Sequence, residues 1–444
     1  MLGTVNLYYI FYGNWDDPSK SIVEDFAKNI GGSPYLNIQR SYYDGSLKRI
    51  ANSVRYAGST TDNYSQGPTN VNPALVVVDA IKSGKLGPAD PNGVYFVLGA
   101  DGVSPPGFLT SYCGYHGNVE TESSTPMLVN YAFVGNPGFN GSCSVQTLIS
   151  PNNDPGVDAA INTIAHELNE MMNDPKGNAW SNANGESADN CAWTFGLEQT
   201  APNGSAYNVT LGSRQYLIQQ NFVNDGSGYC AMQWPAPVPS GWVYVANANS
   251  GKYLEFTSTE KGAVLEQHTF SGNFAQMFSF APVNGGYKIT SRVSGLQLDV
   301  RGGPAATGDG ALIEQWPFGG GSNELFGLSA PNTQGYGIIT AFNSAKVLVV
   351  SGRSTADNAP IIQWDYTGVP NQNWKLVPVT PNGALEDPIA KDLASPSTSK
   401  AGFAAPFTVI IPATDEVTDW NHDAPNRPDA KPGLRLGSGL RPRE

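Results

Sequence analysis

Charge is scarce in this chain, with only 14% of its 444 residues being Asp, Glu, Lys or Arg. What charge there is leans acidic, 38 residues against 25, for a formal net charge of −13. No basic stripe exists to release counterions from phosphates, so nucleic acid is excluded as a partner. Apolar runs are also short. No stretch of 18 apolar residues occurs, which excludes a membrane-spanning helix. The first fifteen residues, Met1 to Trp15, lack a basic leader, a long apolar run and a small-residue cleavage site. They read as a β-strand that begins at once, so either a precursor segment has been removed or the protein stays inside. Cysteine and histidine number four each. Cys113, Cys143, Cys191 and Cys230 show no C-x-x-C or zinc-finger spacing, which predicts two disulfides rather than a thiolate metal site. Chain order suggests Cys113–Cys143 and Cys191–Cys230, with three pairings open.

What the chain has in quantity is glycine (50), proline (33), Asn, Ser and Thr, on a background of 40% hydrophobic residues. This is the composition of a loop-rich, β-rich secreted protein, long enough for two or three domains. A Pro-rich stretch over 234–241 predicts a stiff extended linker. After Val379 no periodic pattern persists apart from a short apolar stretch, Phe407 to Ile411, and 380–444 reads as a mostly disordered tail. Between them lies a repeat. Gln267, Gln315 and Gln363 are spaced by 48 residues, and Phe278, Phe326 and Trp374 keep the same spacing. Each copy carries short alternating strands bounded by Gly and Ser, so residues 242–379 are expected to form a threefold all-β module.

Residues 1–233 alternate between the two periodicities. Strands are predicted at Val5–Tyr12, Val94–Leu98 and Leu128–Val134, and helices near Ser21–Ile30, Pro73–Ser83 and Gly156–Asn173, which together predict an α/β domain. The last helix carries His166-Glu167 followed by Glu170. His166 and Glu170 are one turn apart on one face, within reach of a single metal ion, with Glu167 beside them as a candidate general base. The helix should stop at Asn173-Asp174-Pro175. Asp174 is a competing ligand one turn further on. The plain alternative is a surface helix with solvated acids and a partly buried His.

This pattern resembles zinc metallopeptidases of the gluzincin type, in which His-Glu-x-x-His is followed by a Glu ligand and an Asp that orients the first His. The segment Gly185-Glu186-Ser187-Ala188-Asp189 is similar to that second element. The resemblance implies a zincin-like fold, His166, Glu170 and Glu186 as ligands, Glu167 as base and Asp189 as the partner behind the ligands. The sequence departs from the family where Glu170 replaces the second His. A site with one imidazole and two carboxylates is formally neutral with one zinc ion and also tolerates Mn or Ca. His116, near Cys113 in a Gly-rich segment expected to be a turn, is an alternative ligand.

The repeat region resembles the ricin-type β-trefoil lectin family. The Q-x-W signature is complete only as Gln372-Asn373-Trp374, becoming Gln276-Met277-Phe278 and Glu324-Leu325-Phe326 in the other copies. The resemblance implies a sugar site in the second copy from Asp299, Gln315, Trp316 and Asn323. The first copy has Glu255 and His268, and the third has Val349 where the acid belongs. Residues 3–225 also resemble the phosphate-induced, EXORDIUM-like family, through Tyr8 to Gly13, Ser21 to Phe26, Val97 to Asp101, Ser111 to Gly117 and Tyr131 to Asn136. That resemblance implies an extracellular or wall-associated protein linked to growth. The expectation is a secreted α/β metallopeptidase-like domain with one zinc ion, acting on peptides and held on carbohydrate or glycoprotein by its trefoil. The rival is a non-catalytic carbohydrate-binding wall protein with a structural cation or acidic cluster.

Overall fold

The computed structural model describes residues 1–379 apart from Ser123 and Ser227, so the predicted tail lies outside the described residues. The described chain divides into two units, Met1–Val223 with Tyr229–Gln233, and Asn224–Gly228 with the residues from Trp234 onward.

The first unit is built on a five-stranded mixed sheet. Its strands are β1 (Val5–Tyr12), β2 (Val54–Asp62), β3 (Gly93–Gly99), β4 (Gly114–Glu120) and β5 (Leu128–Gly135), in the order β2-β1-β3-β5-β4. All pairs are parallel except β4 with β5. Every residue of β3 is buried, as a central parallel strand covered on both faces requires. Helices α1 (Asp17–Asn29), α2 (Pro73–Lys82) and α3 (Pro155–Asn173) start on side-chain caps from Asp16, Asn72 and Asp154, each with proline in the first turn.

Two strands differ from the expectation. β2 is polar and half-exposed, and β4, which carries His116, is an edge strand rather than a turn. Neither carries a regular alternation of apolar residues, which hides them from a pattern of alternating hydrophobicity. Gly114 explains how β4 comes so close to α3. A Cβ there would meet the Thr163 side chain at 2.5 Å and the Phe133 carbonyl at 2.9 Å.

Helix α3 is not a surface helix. All of its 19 residues are buried, including His166, Glu167, Asn169 and Glu170. Buried polar groups need partners. Asn169 accepts from Gln39 at 2.7 Å and donates to the Ala165 carbonyl, and Asn173 donates to Ser187 Oγ at 2.7 Å. The helix ends at Asn173, before Pro175. Disulfides Cys113–Cys143 and Cys191–Cys230 are both formed, closing separations of 30 and 39 residues.

The second unit is a β-trefoil. Twelve strands, from Val243–Asn247 to Trp374–Pro378, form one sheet in which the first strand pairs with the last. One register recurs three times, as Leu254↔Gln267, Leu298↔Gln315 and Leu348↔Gln363. Phe278, Phe326 and Trp374 meet in a single core and are at most 1% exposed. Burial of each phenylalanine ring contributes about 1.5–3 kcal/mol. The stretch read as an extended linker is packed at its start rather than spanning solvent. Trp234 is 1% exposed, stacks on Phe342 at 5.3 Å between ring centroids and donates to Asp225 at 2.9 Å. Among the described residues no helix is long and apolar enough to cross a membrane.

Candidate functional site

Three segments of the first unit converge on α3. Its own His166, Glu167 and Glu170 are met by His116 from β4, by Glu186 and Asp189 from the loop after the helix, and by Gln219 further on. Local structure holds each in place. On β4, Asn118 donates to Asn130 Oδ1 and to the Pro175 carbonyl, both at 2.7 Å, which ties the strand to the end of the helix. In the loop, Gly185 sits at φ +114°, and a Cβ there would lie 2.5 Å from Asp189 Oδ2. Cys191, at the end of the short 3-10 turn Asp189–Cys191, is pinned by its disulfide.

His166 Nε2 lies 3.3 Å from Glu170 Oε1 and 3.5 Å from Asp189 Oδ1, and its Nδ1 is hydrogen-bonded to the Gln219 amide. His116 Nδ1 lies 3.0 Å from Glu167 Oε2 and 3.7 Å from Glu170 Oε2, and its Nε2 is 3.6 Å from Glu186 Oε1. The ligand atoms of His166, Glu170 and Asp189 all lie within 4.8 Å of one another, as do those of His116, Glu167 and Glu170. Glu170 Oε1 also accepts from the backbone N–H groups of Ala188 and Asp189, both at 3.2 Å. Imidazole and carboxylate donors at this spacing, with His166, Glu167 and Glu170 buried and His116 and Asp189 half-buried, fit a divalent cation.

The electrostatics point the same way. Burial pushes Glu170 up to about 8, although His166 pulls against it. Burial opposes charge on both imidazoles, yet the carboxylates outweigh it, Glu170 and Asp189 holding His166 and Glu186 and Glu167 holding His116 well above the usual histidine value. Asp189 stays below the usual carboxylate value against its burial because it bonds His166. Among the described residues no Lys or Arg pairs with Glu167, Glu170 or Asp189. The cations in the ion pairs of these carboxylates are the two imidazoles themselves.

Several expected residues sit differently from their assigned places. Asp189, read as an outer partner, is in the group with His166 and Glu170, whereas Glu186 faces His116. Asp174 is committed elsewhere, since its Oδ1 accepts from the N–H groups of Asn178 and Ala179, both at 2.7 Å. The second imidazole comes from β4 and not from the helix. Gln219 was missed, because a lone Gln in no motif gives no signal.

In the trefoil, Asn323 Nδ2 donates to Asp299 Oδ2 at 2.6 Å, and Trp316 is 40% exposed with Lys261 Nζ 5.4 Å from its ring centroid. Burial, then Glu324 and Glu314, push Asp299 up to about 7. Gln315 does not belong to a sugar-facing set. It is fully buried, accepts from Ser294 and donates to the carbonyls of Ser258 and Glu260, so its amide is spent on loop closure. Gln267 and Gln363 make the same three bonds in their copies. The repeated glutamine marks architecture. In the first copy Gln276 donates to Glu255 at 2.7 Å, and in the third Val349 leaves no acid.

Comparison with known proteins follows the same division. The phosphate-induced protein 1 conserved region matches residues 1–232, and the ricin-type β-trefoil lectin domain-like family matches residues 230–316 and 322–386. Protein EXORDIUM-like 5 of Arabidopsis thaliana is 28% identical over 256 residues, covering 48% of this chain and 70% of that protein. Among solved structures, the designed threefold-symmetric protein ThreeFoil is 36% identical, covering 32% of this chain and all of its own, with a TM-score of 0.30. The Macrolepiota procera ricin B-like lectin, solved with lactose, is 18% identical and covers 32% of this chain and 99% of its own, with a TM-score of 0.28.

Proposed function

The chain belongs to the phosphate-induced protein 1 family and continues into a ricin-type β-trefoil lectin-like region, and from that premise we propose that it is an extracellular, glycan-tethered metallohydrolase of the peptidase class. The observation that carries this reading is the convergence of buried His166 and Glu170 with Asp189, beside Glu167. These residues would hold a zinc ion, with Mn or Ca as harder substitutes, which when bound supplies Lewis acidity toward a carbonyl and lowers the pKa of water. The chain's own residues do the rest. Gln219 orients the His166 ring, and the Ala188 and Asp189 N–H groups hold Glu170. Glu167 takes the proton of the attacking water and returns it to the leaving amine. The outer side of β4 is an edge along which an extended peptide can add as a strand.

The trefoil supplies the tether. Asp299 and Asn323 offer paired polar groups for sugar hydroxyls, and the exposed Trp316 ring offers a surface for the apolar C–H face of a sugar. Tethering raises the local concentration of the first unit near wall or matrix glycoproteins. Two disulfides suit an oxidising compartment.

One observation favours a second reading. Glu167 is 3% exposed and its Oε2 is already bonded to His116, as suits a non-catalytic carbohydrate-binding protein whose cluster holds a cation for structure. Glu167→Gln in the full chain separates the two, with peptide hydrolysis as one readout and metal bound at the His166 group as the other. Hydrolysis by the natural protein that disappears in the variant while that ion remains supports the hydrolase. A metal-loaded natural protein with no hydrolysis supports the second reading.

A further inference from the structure

We propose that the buried cluster is a two-cation centre bridged by Glu170. The proposal rests on the metal-site reading of α3 and goes beyond it in the number of ions. The two oxygens of Glu170 face different imidazoles, Oε1 toward His166 Nε2 at 3.3 Å and Oε2 toward His116 Nδ1 at 3.7 Å. One carboxylate is therefore shared by two donor groups, each with its own imidazole and its own second carboxylate, Asp189 on one side and Glu167 on the other. A carboxylate with one oxygen to each ion is the natural bridge in sites whose ions stand about 3.5–4 Å apart.

The outer contacts agree. Each imidazole turns one nitrogen toward its carboxylates and the other toward a separate partner, Gln219 for His166 and Glu186 for His116. An imidazole that gives one nitrogen to a metal characteristically has its other N–H held by a polar partner, as Gln219 holds that of His166. Gln219 is fully buried and its Oε1 has no hydrogen-bond partner among the described residues. Turning the amide about its axis puts that oxygen on the His166 N–H.

Charge is compatible with two ions. Glu167, Glu170, Glu186 and Asp189 bring four negative charges when ionised, and two dications balance them once both imidazoles are neutral ligands. Two imidazoles with four carboxylates are also the donor set of di-metal carboxylate centres on helical scaffolds. Under this proposal Glu167 is a ligand of the second ion, so it does not serve as a free base.

The test is the metal stoichiometry of the full chain, stripped with chelator and re-equilibrated with manganese or zinc chloride alone. Two ions per chain are expected, with a spin-coupled Mn(II) resonance. His116→Ala and Glu167→Gln should each retain one ion and show an uncoupled resonance, and His166→Ala should retain the other. Circular dichroism checks that the variants fold, and the stoichiometry and coupling of the natural protein decide the matter even where a variant does not. A single ion in the natural protein, or two without coupling, would overturn the bridged centre and leave the single-ion reading standing. No bound metal with either salt would overturn both.

Discussion

In the trefoil the polar residues with a proposed role lie inside one 48-residue repeat, whereas in the α/β unit they come from four separate segments. Asp299 and Asn323 are 24 residues apart in the chain, but Glu167 is 51 from His116 and His166 is 53 from Gln219. Repetition also lets the trefoil divide its labour visibly. A polar residue present in all three copies, such as Gln267, Gln315 and Gln363, closes loops, and one that varies between copies, such as Glu255, Asp299 and Val349, is free to specialise. The α/β unit has no internal copy against which to make that distinction.

The most severe test of the trefoil half is Trp374→Ala. It empties the third-copy core position and should cost about 3–5 kcal/mol, read as a fall in the melting temperature of the trefoil transition. A cost below 1 kcal/mol would mean the three copies do not share one core. The α/β half has a complementary test. Manganese or zinc at about 100 times its dissociation constant should stabilise that unit by about 2.7 kcal/mol and leave the trefoil transition where it was. A shift of the trefoil transition instead would move the cation site to the wrong half.

Gln315→Ala is the next test. It strands the carbonyls of Ser258 and Glu260 and should cost about 1–3 kcal/mol, with Gln267→Ala and Gln363→Ala costing the same within error. A loss of sugar binding with no loss of stability would restore Gln315 to the sugar site. Asp299 supplies a pH test. Its folded value of about 7 lies above the ordinary 3.8, so the folded state holds the proton more tightly. Trefoil stability should then fall as pH rises from about 4 to about 7 and level off above, and Asp299→Asn should flatten that slope. Glycan retention that depends on the carboxylate should rise over the same range. The smallest stability effect belongs to the exposed Trp316, where alanine should change folding by no more than about 0.5 kcal/mol while abolishing glycan retention.

Much of the fold is legible in the residues themselves. The threefold spacing of Gln and aromatic residues identifies the trefoil, continuous apolar runs identify β1, β3 and β5, and Asp154-Pro155 with Asp174-Pro175 bracket α3. The strands β2 and β4 escape notice because an edge strand need not be apolar. The candidate centre is half legible. His166, Glu167 and Glu170 stand out because helical periodicity alone places them together. His116 stands in the sequence only as an alternative ligand and Gln219 not at all, because their neighbourhood is set by β4 folding back against β5 and by the chain returning past Asn162 after 50 further residues or more, where the Gln219 N–H donates to Asn162 at 2.7 Å.

Local chemistry is thus sufficient for whatever depends on neighbours in the chain, namely helix caps and strand alternation, and the residue pattern alone gives the 48-residue period. It is insufficient for burial and for partnership across the fold. The sequence read alone allowed α3 to be a surface helix with solvated acids, and packing on all sides turned those acids into a buried cluster paired with two imidazoles. It allowed Gln315 to face a sugar, and the threefold closure of the loops turned it inward. The reason is the same in both cases: a polar side chain's energy depends on which groups replace its water, and those groups arrive from distant parts of the chain.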